Sequence, residues 1–262
     1  MRILFFGDIV GEVGRSAVHF SLPGLVKENQ IDFVIANGEN ATHGKGLSET
    51  HYRYLIESGV DCVTLGNHWH SRAEIDSYVG KVPDLVRPLN VLNYKLGAGS
   101  VVFEVRGVKV RVTNVLGTAF MEETVESPYE AMKRLLATAT PMIHLVDFHA
   151  DSTSEKAIFA YYLDGKVSAV IGTHTHVQTN DARILPQGTG FVSDVGMCGA
   201  SNGVIGVDKD SAIRKFVYGE DMAFTYDPEA PQMINAAILD INEQTFLTEA
   251  MTLINIPVGG QG

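Results

Sequence analysis

Short apolar runs recur along the chain, and most of them stop at a glycine or a polar residue. "RILFFGD" leads into a glycine-punctuated loop and a helical pattern over 15–29, which Pro23 is expected to interrupt. "DFVIANGEN" leads into a loop and then "SETHYRYLIESG", where Ser48 can cap a helix and Gly59 can end it. "VDCVTLGNH" is followed by a polar stretch over 72–79. Runs that are apolar throughout and bounded in this way read as buried strands with helical crossovers. After residue 97 the pattern changes. "SVVFEVRGVKVRVTNVLG" alternates around Gly107 and predicts a hairpin, while "MIHLVDFHA" and "VSAVIGTH" are again apolar runs with polar tips, separated by the helical "SEKAIFAYYLDG". "DARILPQGTGFVSDVGM" and "INAAILDINEQTFLTEAMTLINI" read as antiparallel strands. The economical reading is one α/β domain with mixed sheets over 1–258, followed by a disordered tail at 259–262.

Composition narrows the classes. With 262 residues, 45% hydrophobic and 19% charged, the chain can bury a large core. It contains no apolar stretch of 18 residues, so no membrane span is expected. The start "MRILFFGDIVGEVGR" is broken at Gly7-Asp8 and is not expected to act as a signal peptide. Only Cys62 and Cys198 occur, which points to free thiols and a cytoplasmic protein. A net charge of −11 argues against broad binding to a nucleic-acid backbone. A small anionic substrate stays open if the site makes its own positive field. A homo-oligomer is also left open.

The candidate chemistry lies where the runs end. Asp8 ends the first, Glu39-Asn40 the second and Asn67-His68 the third; His149 ends "LVDFH", and His174 and His176 end "VIGTHTH". Functional groups of open α/β sheets collect at the carboxyl ends of strands. In an extended chain His174 and His176 would face one side. Asn67 and His68 would diverge in a strand, so both converge only if a turn follows Gly66. Two carboxylates brought together without a cation would force a proton onto one of them. A pair of metal ions removes the conflict, and one carboxylate of Glu39 can bridge both. Mixed oxygen and nitrogen donors suit iron, manganese or zinc better than calcium.

These motifs resemble those of the calcineurin-like metallophosphoesterases, through "GD", "GEN", "GNH" and "GTHTH". "LFFGDIVGEVGR", "DFVIANGENA", "TLGNHWH", "VRPLN", "VDFHADSTSEK" and "VIGTHTHVQTND" resemble more closely the YmdB-like branch, over nearly the whole chain. The resemblance implies a four-layer α/β/β/α sandwich of two mixed sheets. It also implies a metal held by Asp8, Glu39, Asn40 and His176, and a second held by Glu39, Asn67, His149 and His174. His68 is then the catalytic histidine and not a ligand. The ions expected are two per subunit, iron first, manganese next and zinc last. The wider superfamily has a histidine two residues after its first aspartate; here that residue is Val10, and Glu39 replaces a bridging aspartate. The branch is understood to compensate with Asn40.

The activity implied is hydrolysis of cyclic nucleotides, 2',3'-cyclic and to some degree 3',5'-cyclic, by in-line attack on phosphorus. The loops "ATHGKGLSE" and "VQTNDARIL" are the candidates for lining base or ribose. A nucleotide-sensing regulatory protein and a metal-dependent phosphomonoesterase are the alternatives. Nine histidines occur; His19, His43, His51 and His144 have no partner pattern and read as surface or core residues. His70 reads as lining or structural, and Cys198 as a small buried filler. Gly7, Gly38 and Gly66 read as sites of close backbone approach, since no P-loop or dinucleotide fingerprint is present.

Overall fold

The computed structural model describes residues 1–258; the tail expected to be disordered, 259–262, lies outside the described residues. The first half runs β1 (Arg2–Phe6), β2 (Asp8–Ile9), α1 (Gly11–Asn29), β3 (Phe33–Asn37), α2 (Glu49–Glu57), β4 (Cys62–Thr64), α3 (Ile75–Tyr78) and β5 (Leu85–Val86). It is followed by β6 (Ser100–Val105), β7 (Val108–Leu116), α4 (Pro128–Leu136), β8 (Ile143–His149), α5 (Thr153–Leu163) and β9 (Ala169–Thr173). The chain ends with β10 (Arg183–Ile184), β11 (Gly190–Val192), β12 (Met197–Ala200), α6 (Lys209–Phe216), β13 (Gln232–Ile241) and β14 (Thr248–Val258).

Two mixed sheets result. The first has the order β2-β12-β13-β1-β3-β4-β5, with β14 also on β13; the second has the order β10-β11-β9-β8-β7-β6. In each, the centre is parallel: β1, β3, β4 and β5 in the first, and β7, β8, β9 and β11 in the second. The hairpin at Arg106-Gly107 forms as expected, with both residues at positive φ. The final antiparallel pair also forms, and β13 docks beside β1 with Phe6 opposite Ala236.

Side-chain alternation explains the layering. In β1, Ile3 and Phe5 point into a core shared with Val112, Leu145 and Ile171 of the second sheet. Leu4 and Phe6 point the other way, onto Val18 and Leu22 of α1 and Leu55 of α2. The second sheet buries Val146, Phe148 and Val170 beneath Met132 of α4 and Phe159 and Leu163 of α5. The strands read as continuous apolar runs because both of their faces are covered. The layers are therefore α/β/β/α.

One expectation fails locally. Pro23 does not interrupt the first helix, which is continuous from Gly11 to Asn29. Pro23 and Gly24 lie on its exposed side while Leu22 and Leu25 are buried, so water can replace the lost bond to the His19 carbonyl. Among the described residues no helix is long and apolar enough to cross a membrane.

Candidate functional site

The parallel strands of both sheets end on one side of the sandwich, and their tips meet there. Asp8 follows β1 through Gly7, Glu39 and Asn40 follow β3, Asn67 and His68 follow β4, His149 ends β8, and His174 to His176 follow β9. All eight residues singled out in the sequence come together.

They divide into two groups that share Glu39. In one, His149 Nε2 lies 2.9 Å from Asn67 Oδ1, 3.1 Å from Glu39 Oε1 and 3.0 Å from His174 Nδ1. In the other, Asn40 Nδ2 lies 3.0 Å from Glu39 Oε1 and 3.1 Å from His176 Nε2, and His176 Nε2 is 3.7 Å from Asp8 Oδ1. Ligand atoms of Glu39, His149 and His174 all fall within 4.8 Å of one another. Asp8 Oδ1 is fully buried and has no hydrogen-bond partner among the described residues, although Oδ2 accepts from the His174 backbone N–H at 3.1 Å. An unpaired buried carboxylate oxygen is costly unless a cation faces it. The crowding about His149 points the same way, because one N–H cannot serve three neighbours at once. The donor set fits metal ions.

The electrostatics of the protein alone are those of a site built around positive charge. Burial disfavours the Glu39 carboxylate, yet the charge and hydrogen bond of His149 outweigh it and hold Glu39 down at about 2. Burial disfavours charged His149 too, yet Glu39, Asp8 and Asp147 raise it to about 9. Asp8 is raised, chiefly by burial, and His174 is lowered to about 3 by burial and by the His149 charge. The proton on His149 thus occupies a position that suits a cation.

The turns that aim these groups are of two kinds. Asn67 and His68 sit in the expected turn, closed by a 3.1 Å bond from the Trp69 N–H to the Gly66 carbonyl. Gly66 is needed because a Cβ there would strike Glu39 and His149. His174 and His176 converge by a different route from the one expected. They lie beyond β9 at φ +106° and +64°, so no strand alternation orients them. Their loop is held by Asp194, whose carboxylate accepts from the Thr175 N–H at 2.9 Å, the Gly196 N–H at 2.9 Å and Lys156 Nζ at 2.8 Å. Lys156 and Asp194 are both fully buried.

A further chain of bonds fixes the His149 ring. Its Nδ1 is 2.9 Å from Thr173 Oγ1, which donates to Asp147 Oδ1 at 2.7 Å. Asp147 Oδ2 also accepts from Asn37 Nδ2 at 3.0 Å and Thr64 Oγ1 at 2.5 Å. Nδ1 is thereby committed, and Nε2 faces the site. Asp147, Thr173, Lys156 and Asp194 were not singled out in the sequence. The available signal was an acid inside the apolar run "LVDFH" and a lysine within a largely apolar helix.

The remaining candidates separate cleanly. His68 half-faces the cavity, anchored by its backbone N–H on Glu39 Oε2 at 2.9 Å, and its ring makes no hydrogen bond among the described residues. Burial lowers its pKa. His70 bonds Asp76 at 2.9 Å on the surface, a structural role. His19, His51 and His144 bond Ser58, Thr42 and Thr113. Cys198 is a buried filler behind Ile9, and its thiol is pushed up to about 12 by burial. Val10 lines the cavity wall where the wider superfamily has a histidine.

The cavity beside the cluster holds about 630 Å³. Gly44 and Lys45 of the first expected loop line it, but "VQTNDARIL" does not. Gln178 turns inward to the Val195 and Ile254 carbonyls, and Thr179 is tied to Asp181 and Asp194. The far wall comes from residues 204–226 instead, which sequence reasoning missed.

The fold and sequence have close counterparts. A Bacillus subtilis protein named 2',3'-cyclic-nucleotide 2'-phosphodiesterase is 43% identical over 248 residues, covering 94% of this chain and 93% of that protein. A crystal structure described as a novel phosphatase of Mycoplasma pneumoniae superposes with TM-score 0.92 at 38% identity, covering 98% of this chain and 93% of the other. A Staphylococcus aureus structure bearing a 5'-nucleotidase name matches at TM-score 0.61 and 14% identity, covering all of this chain and 55% of the other. The last likeness is one of fold alone. The model of the YmdB-like protein family matches residues 4–254. Sequence, fold and strand-end residues therefore agree, and the chain belongs to the YmdB-like family.

Proposed function

We propose that the chain is a metal-dependent phosphodiesterase acting on small cyclic nucleotides, with 2',3'-cyclic phosphates as its first substrates and 3',5'-cyclic phosphates as secondary ones. The observation that carries this reading is the pair of donor groups sharing Glu39, one of which includes a buried Asp8 oxygen without a hydrogen-bond partner among the described residues. In this reading Asp8, Glu39, Asn40 and His176 hold one ion, and Glu39, Asn67, His149 and His174 hold the other. Iron or manganese suits such mixed oxygen and nitrogen donors. When bound, the ions lower the pKa of water and neutralise the charge of a phosphodiester.

The chain's own residues do the rest. Asp147 and Thr173 keep His149 in one tautomer, and Asp194 and Lys156 keep the 174–176 loop in place. In hydrolysis a water oxygen bonds to phosphorus, one ester P–O bond breaks, and the leaving oxygen takes up a proton. His68, which lines the cavity, donates the proton to that oxygen, and the proton given up by the attacking water replaces it. The preference for 2',3'-cyclic substrates is supported by the activity for which the Bacillus subtilis relative is named. A small substrate also suits a chain with net charge −11. The free, buried cysteines are in keeping with a cytoplasmic enzyme.

Elemental analysis of gently purified protein, beside a screen of 2',3'- and 3',5'-cyclic nucleotides, tests the reading. Two ions per chain and metal-dependent release of nucleoside monophosphate are expected, with a bis-ester chromogenic substrate preferred over a mono-ester. His68→Ala should keep both ions and lose on the order of 100-fold or more in turnover. Metal-loaded protein that hydrolyses no phosphodiester overturns the function, and an unchanged rate in His68→Ala overturns that residue's role.

A further inference from the structure

The cavity lining is of two kinds. Glu39, Asn40, Lys45, His68, Asp151, His174 and His176 are its polar and titratable members, and Val204, Ile205, Val207, Phe216, Phe224 and Tyr226 its apolar and aromatic ones. No charged side chain lies among the latter group. A cavity of about 630 Å³ is within the usual size for a small organic ligand. A ligand anchored on the polar residues by its phosphate would therefore set a neutral, flat group against the apolar wall.

The wall is also built at a conformational cost. Val204 to Val207 form a tight turn, closed by reciprocal backbone bonds of 2.9 and 3.1 Å. Its two central residues are Ile205 at φ +47° and Gly206 at φ +96°. Turns of this kind favour Asn-Gly, and a β-branched residue in left-handed backbone is disfavoured by about 1–2 kcal/mol. Nevertheless Ile205 holds the position, with its side chain half-exposed toward the cavity and not sunk in a core. Its carbonyl accepts from His176 Nδ1 at 2.9 Å. Tyr226 packs over Gly44, where any Cβ would overlap its ring. The wall is thus tied to the polar residues through His176 and to the loop after Asn40 through Gly44.

We propose that this wall is a nucleobase subsite and that Ile205 is a specificity-determining residue, packing its side chain on the base of the bound nucleotide. This rests on the phosphodiesterase reading for the identity of the substrate. The test compares Ile205→Asn with the parent chain on a 2',3'-cyclic nucleotide and on glycerol 1,2-cyclic phosphate, which has no base. The ratio of the two kcat/KM values should fall about 5- to 20-fold in favour of the baseless substrate, the expected effect of losing one apolar side-chain contact. The fall should come through KM. The midpoint of thermal unfolding should rise by about 2–4 °C, because Asn-Gly suits the turn. A ratio that does not move overturns the subsite, whether both substrates are impaired together or neither is. If the parent chain hydrolyses neither substrate, the phosphodiesterase reading has failed, and the wall is then judged by calorimetry. Adenosine 3'-monophosphate should bind Ile205→Asn more weakly relative to inorganic phosphate, and an unchanged ratio of affinities overturns the proposal.

Discussion

Replacing Lys156 with methionine removes one member of an ion pair that no water reaches. Nζ is 2.8 Å from Asp194 Oδ2, and both side chains are fully buried. Methionine fills most of the space of the lysine stem, so the substitution isolates the charge. Asp194 would then keep the Thr175 and Gly196 N–H donors but lose the one ion-pair partner it has among the described residues. Leaving one buried charge without its partner costs about 3–5 kcal/mol. For a chain of this size that is a fall in Tm of roughly 6–20 °C. Urea unfolding of metal-free protein measures the loss directly, and elemental analysis of metal-loaded protein reports on the loop, because Asp194 holds His174 and His176 through Thr175. Adding Asp194→Asn to Lys156→Met should recover part of the stability, since the stranded charge is gone. A single Lys156→Met variant within about 1 kcal/mol of the parent, retaining two ions, would refute the reasoning that this pair is desolvated and holds the loop.

Two further outcomes follow from the same geometry. Glu39→Gln removes the carboxylate common to both donor groups, so bound metal should fall toward none and not toward one ion; two ions retained by elemental analysis would contradict the sharing. His144, buried and lowered to about 3 by burial and by Arg111, is neutral in the fold, whereas an unfolded histidine titrates near 6.5. Its contribution is therefore complete above 6.5 and is lost as pH falls toward 3. Between pH 7 and pH 5 the parent chain should lose about 2 kcal/mol more than His144→Gln, whose side chain can still reach Thr113. Equal losses in urea titrations at the two pH values would reject that assignment.

Much of the site was legible in the chain because catalytic α/β sheets place polar groups at strand tips, and a tip is visible as the end of an apolar run. Asp8, Glu39, Asn67, His149 and His174 were all marked in this way. Their supports were not. Asp147 lies inside such a run and is recognisable only once Thr173, Asn37 and Thr64 from three other strands surround its carboxylate. Lys156 and Asp194 are 38 residues apart, and nothing local announces their pairing.

The amino-acid order alone determined the alternation of strands and helices, the hairpin at Gly107, the cap at Ser48 and the polar residues at strand ends, because periodicity and turn chemistry act over a few residues. Only the folded chain decided that Pro23 sits harmlessly on an exposed helix face and that left-handed backbone aims His174 and His176. It also decided that residues 204–226, and not the loop after His176, wall the cavity. Those outcomes depend on which surfaces meet and which groups lose their water, and both are set by partners far away in the sequence.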